Sequence, residues 1–82
     1  MTAREIQIAK KILNSLHDQD GHQLHALSLH GDIGGLTFCT GAEFDHVLAA
    51  LDARRLVIGV RTQFKGTLWS ISDAGEAARL EM

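Results

Sequence analysis

Apolar side chains recur at Ile6, Ala9, Ile12, Leu13 and Leu16, the three- and four-residue spacing that gathers them on one stripe of a helix. Thr2-x-x-Glu5 marks the start. In this capping box the threonine oxygen accepts the amide three residues on, and the glutamate reaches back to the threonine amide. The stripe ends near His17, because Asp18-Gln19-Asp20-Gly21 is a run of turn formers. The same signature returns at Thr40-x-x-Glu43, followed by Phe44, Val47, Leu48 and Leu51 on one face and a stop around Arg54 or Arg55. A third box, Asp73-x-x-Glu76, opens a short final helix with Ala77, Ala78 and Leu80.

Between the second and third boxes the period changes. Leu56-Val57-Ile58-Gly59-Val60-Arg61 and Thr67-Leu68-Trp69-Ser70-Ile71-Ser72 are rich in β-branched and large apolar residues. Thr62-Gln63-Phe64-Lys65-Gly66 between them has the length and the glycine of a hairpin loop. Further upstream, Gln23-Leu24-His25 fits a short strand. Ala26, Leu27, Leu29, His30 and Ile33 fit a short helix, broken by Gly31, Gly34 and Gly35. The predicted order is helix, short strand, helix, helix, strand, loop, strand, short helix. The expected core comprises Ile6, Ile12, Leu13, Leu16, Leu27, Phe44, Val47, Leu48, Leu51, Leu56, Ile58 and Ile71.

Composition narrows the class. Eighty-two residues support a single domain, 1–82, with one modest core. A hydrophobic fraction of 45%, a charged fraction of 22%, and the absence of proline or any linker-like tract are those of an ordinary globular chain. The apolar run Val47 to Leu51 is too short for a membrane span, and the start lacks the apolar segment of a signal peptide. Cys39 is the sole cysteine, which makes a reducing cytoplasm the expected location. The net charge of −2 counts against a freestanding nucleic-acid binder without excluding a local basic patch.

Two stretches carry a family likeness: Val47-Leu48-Ala49-Ala50-Leu51-Asp52-Ala53-Arg54-Arg55-Leu56-Val57 and Trp69-Ser70-Ile71-Ser72-Asp73-Ala74-Gly75. The first resembles the helix end, charged turn and leucine-valine strand start of the winged-helix superfamily of bacterial regulators, such as the MarR-like and PadR-like groups. The second resembles their aromatic-x-Leu-Thr-x-x-Gly segment after the wing. The likeness runs from about Glu5 to Leu80. It implies an α+β winged helix-turn-helix with a three-helix core, a C-terminal β-hairpin wing and a short final helix. It also implies a DNA-binding, transcription-regulating role.

In a helix-turn-helix the third helix enters the major groove, so its outward side chains must offer donors and acceptors to base edges. With Phe44, Leu48 and Leu51 inward, Ala42, His46, Ala49 and Ala53 point outward, and only His46 among them can read a base. Asp45 and Asp52 lie on one flank, Glu43, Ala50 and Arg54 on the other. The loop suits a phosphate backbone better, through Arg61, Thr62, Gln63 and Lys65, while Lys10 and Lys11 add positive charge elsewhere. Double-stranded DNA is therefore the first expected partner, met by His46, Arg54, Arg61, Thr62, Gln63 and Lys65. The alternative is an adaptor that docks a protein on Ala42, Ala49 and Ala53, with Phe64 at the wing tip as a second anchor. The first and last helices offer a route to a homodimer.

Other chemistries find less support. His22-x-x-His25, with His17, His30, His46 and Cys39 nearby in sequence, matches no zinc motif, and solvated surface histidines are expected. Gly31-Asp32-Ile33-Gly34-Gly35 lacks the Gly-Lys-Ser/Thr of a phosphate loop. Asp18 and Asp20 lack the downstream glutamate of a calcium loop, and Cys39 has no paired base and reads as a buried filler. Trp69 reads as a packing residue. The expectation is a non-enzymatic protein without cofactor or metal.

Overall fold

Reciprocal hydrogen bonds start the first helix, α1 (Ala3–Asp18). The Glu5 amide donates to Thr2 Oγ1 at 3.2 Å and the Thr2 amide donates to Glu5 Oε1 at 2.9 Å. The computed structural model describes residues 1–18, 23–64 and 66–82. The expected turn beyond Asp18, the His22-x-x-His25 spacing and the role assigned to Lys65 fall outside the described residues.

A two-residue strand β1 (Leu24–His25) leads into α2 (Ala26–Asp32), which runs through Gly31 rather than breaking there. A 3₁₀ turn at Gly35–Thr37, which the sequence pattern did not predict, brings the chain to α3 (Gly41–Ala53). Thr40 and Glu43 cap α3 by the expected reciprocal pair. At its other end Arg55 takes a left-handed conformation, φ +59°, and Leu56 N donates to Leu51 O while Arg55 N donates to Asp52 O, both at 3.0 Å. These bonds occupy helix-terminal carbonyls and turn the chain sharply into the sheet.

Strands β2 (Val57–Thr62) and β3 (Gly66–Ile71) form an antiparallel hairpin pairing Val57 with Ile71 and Thr62 with Gly66. Leu24 pairs with Trp69 on the other side of β3, so the sheet order is β1-β3-β2. The last helix, α4 (Asp73–Glu81), starts one residue earlier than the third box implied. Ser72 is its cap: the hydroxyl accepts from Gly75 N at 3.0 Å and donates to Arg55 O at 2.7 Å. Glu76 is thereby released to meet His17 Nδ1 at 2.8 Å. The result is the expected α+β architecture, with three main helices, a hairpin and a short final helix in the layout of a winged helix-turn-helix. Among the described residues no helix is long and apolar enough to cross a membrane.

The core comprises Ile8, Ala9, Ile12, Leu13 and Leu16 of α1, Leu29 and Ile33 around α2, Cys39 just before α3, Phe44, Val47, Leu48 and Leu51 of α3, and Val57. Three expected members lie outside it: Ile6 is 42% exposed, Leu27 87% and Ile58 48%. Helical phase explains the first two. Ile6 sits roughly 120° around the axis from Ile12, whereas Ile8 shares its side; Leu27 is roughly 200° from the buried Leu29. In β2 the side chains alternate, so seating Val57 in the core turns Ile58 outward. Leu56 and Ile71 are half-buried against the cluster.

Candidate docking groove and wing

Helix α3 is held against α1 by an ion pair and a histidine–carboxylate contact near its start. Arg4 Nε lies 2.7 Å from Glu43 Oε2, and the same guanidinium donates to the Phe38 carbonyl at 2.8 Å. The Arg4 hydrogen bond, with that from the Thr40 amide, lowers the Glu43 carboxyl to about 2. His46 Nε2 lies 2.9 Å from Glu5 Oε2, and Glu5 is itself held low, first by its hydrogen bond from the Thr2 amide. The one side chain expected to read a base edge is thus engaged with α1. Lys11 lies over the Phe38 ring, 4.5 Å from its centroid.

These contacts leave Ala42, His46, Ala49 and Ala53 exposed, as helical spacing predicts, together with Asp45 and Asp52. Beside this face runs a groove of about 550 Å³. Its helical wall is Asp45, Leu48, Ala49 and Asp52 of α3. Gly66, Thr67 and Trp69 of β3 form the opposite wall, and His25, Ala26 and Leu27 close one end. Buried Leu48 and half-buried Trp69 make its interior apolar, and Leu27 stands exposed at its edge. Gly59, opposite Trp69 in the register, makes room for the indole. A Cβ on Gly59 would meet Trp69 Cζ3 at 2.8 Å, so a larger residue would displace the ring.

Asp45 and Asp52 have no hydrogen-bond or ion-pair partner among the described residues, unlike Glu5, Glu43 and Glu76. The wing presents exposed Arg61 and Gln63 and carries Phe64, 90% exposed, near its tip; Thr62 Oγ1 donates to Gly66 O at 2.8 Å. Arg54 and Arg55 are exposed where α3 ends. The candidate positions therefore form two surfaces: Ala49 in the groove wall, and Arg61 to Phe64 on the hairpin.

Of the described histidines, His17 and His46 are exposed as expected, and His30 departs from the expectation of a solvated surface residue. His30 is buried, stacks on Phe44 with ring centroids 4.8 Å apart, and donates from Nε2 to the Cys39 carbonyl at 2.9 Å. His17 and His46 pair with carboxylates, and His25 borders the groove. Cys39 is the buried filler expected; burial pushes its thiol up, which disfavours the nucleophilic thiolate. Among the described residues, no group of three or more His, Cys, Asp and Glu side chains is placed to hold a metal ion.

Leu27 and Trp69 are the groove residues that sequence reasoning placed elsewhere, in the core or in packing. The available signal was Leu27's position opposite Leu29 in helical phase, but seven residues make too short a helix for the stripe to stand out. Comparison of the chain with protein-family models, curated proteins and solved structures finds no match.

Proposed function

We propose that this chain is a winged-helix docking module that binds a protein segment in the groove between α3 and β3. The observation that carries this reading is the pairing of an apolar recess with two carboxylates, Asp45 and Asp52, unpartnered among the described residues, on the face a DNA-reading winged helix turns to the major groove. Duplex DNA carries one negative charge per about 1.7 Å of axis, so these carboxylates oppose its approach. Exposed Leu27 and the Trp69 ring favour an apolar side chain, and such recesses are where binding energy concentrates.

A second reading, DNA binding by a MarR-like or PadR-like regulator, is favoured by exposed Arg54, Arg55 and Arg61, which suit phosphate contacts. One experiment separates the two. Trp69 is the only tryptophan and lines the groove, so its emission reports occupancy. Random duplex DNA titrated at low salt leaves the emission and the sedimentation of the chain unchanged under the docking reading. Saturable, steeply salt-dependent DNA binding would favour the regulator.

A further inference from the structure

We infer that the groove's occupant is a basic amphipathic helix, with an apolar face for Leu27, Leu48 and Trp69 and two cationic side chains for Asp45 and Asp52; this rests on the docking reading. The two aspartates stand about two turns apart on α3, roughly 10 Å along its axis. Lysine or arginine seven positions apart on an approaching helix matches that separation. Both carboxylates are exposed and unpartnered among the described residues, so a partner cation meets them without breaking an existing pair. Meeting both carboxylates with cations is what makes charge complementarity the selective element.

Within the groove, strand addition, the other common mode of peptide recognition, finds little edge to use. Strand β3 lies between β1 and β2, paired with β1 at Leu68 and Trp69 and with β2 along its length. On the β1 side only Gly66–Thr67 and Ser70–Ile71 lie outside the pairing, two short stretches that hold no added strand, and the outer edge of β2 is open but does not line the groove. Recognition therefore runs through side chains, as when an amphipathic helix lays its apolar face into a groove. Among the described residues, His25, at the β1 end, is the one titratable group besides the aspartates that lines the groove.

The test uses the full chain, two synthetic peptides of about 18 residues and Trp69 emission. One peptide has a leucine face and lysines seven apart; its twin carries glutamates at the lysine positions. The lysine peptide shifts Trp69 emission to the blue and binds saturably, and the glutamate twin does not. The double variant Asp45→Asn, Asp52→Asn, checked as folded by circular dichroism, weakens lysine-peptide binding about five- to tenfold and flattens its salt dependence. Equal binding of both peptides, unaffected by the double variant, would leave docking standing and overturn the basic occupant. Failure of both peptides to bind overturns docking and occupant together.

Discussion

The His46 ring nitrogen Nε2 lies 2.9 Å from Glu5 Oε2, which joins the outward face of α3 to the first turn of α1. Glu5 is also the back-reaching member of the α1 capping box. One carboxylate therefore starts a helix with one oxygen and holds the neighbouring helix's polar side chain with the other. Glu43 does the same from α3, capping through Thr40 while gripping Arg4. Each cap on this side of the molecule is also a tertiary contact.

Cap removal is expected to cost more than local helix stability for that reason. Thr40→Ala and Thr2→Ala each lower stability by about 0.5–2 kcal/mol. The Thr40 loss is the larger, because Glu43 loses the geometry that meets Arg4. Denaturant melts of both variants check this; equal, near-zero losses would contradict it.

Acid should weaken the same region. The Glu43 carboxyl lies at about 2 in the folded chain against an ordinary 4.5, so the unfolded chain takes up that proton first. Its contribution is complete above about pH 4.5 and is lost as the pH falls towards 2. Glu5, also lowered, acts in the same direction. Thermal melts across this range should show a falling midpoint, and Glu43→Gln should flatten the fall.

The junction between α3 and the sheet allows two opposite outcomes. Arg55→Gly relieves a side chain held at φ +59° and raises stability by about 0.5–1 kcal/mol, the gain being reduced by the greater freedom of glycine when unfolded. Gly75→Ala places a methyl group against the Leu56 carbonyl and within 2.7 Å of Ile71 Cγ1, and destabilises by about 1–3 kcal/mol. Paired urea titrations would register the opposite signs.

Ala49→Glu tests the α3 face. Ala49 is exposed and glutamate forms helix well, so the fold survives. The bulk fills the groove wall, and docking of an apolar segment is lost, as DNA binding would be if this face entered a major groove. A folded variant with unchanged binding to every ligand that the parent chain binds would remove this face from the interface.

The wing is tested by Arg54→Ala combined with Arg61→Ala. If these arginines hold phosphates, DNA affinity falls similarly across sequences and the salt slope drops by about one unit per lost contact. Peptide binding in the groove is expected to be unchanged, because neither residue lines it. Fluorescence titration of both ligands against the double variant reads the two effects separately.

Helix starts, the hairpin and the order of elements were legible in the sequence because their causes are local. A threonine followed three residues later by glutamate can satisfy end amides whatever else the chain does. A β-branched run beside a glycine-bearing loop can fold on itself. Local rules failed where competing partners were close. Ser72 won the α4 cap from Asp73 because its hydroxyl bonds Gly75 N and Arg55 O together, and Arg55 is brought there by the fold.

Burial and the site were decided by tertiary structure. Helical spacing offers both Ile6 and Ile8 as companions of Ala9, Ile12, Leu13 and Leu16, and packing of α2, α3 and the sheet against α1 buried Ile8 and left Ile6 exposed. The groove has no sequence signature at all. Its walls come from α3 and β3, with β1 and α2 at one end, and only the β1-β3-β2 order brings Leu27, Asp45 and Trp69 to one recess. By itself, the sequence determined which segments become helices and strands, since capping and periodicity act over a few residues. The tertiary structure decided which apolar side chains are hidden and which remain available to a partner, since each helix or strand has more apolar surface than one neighbour can cover.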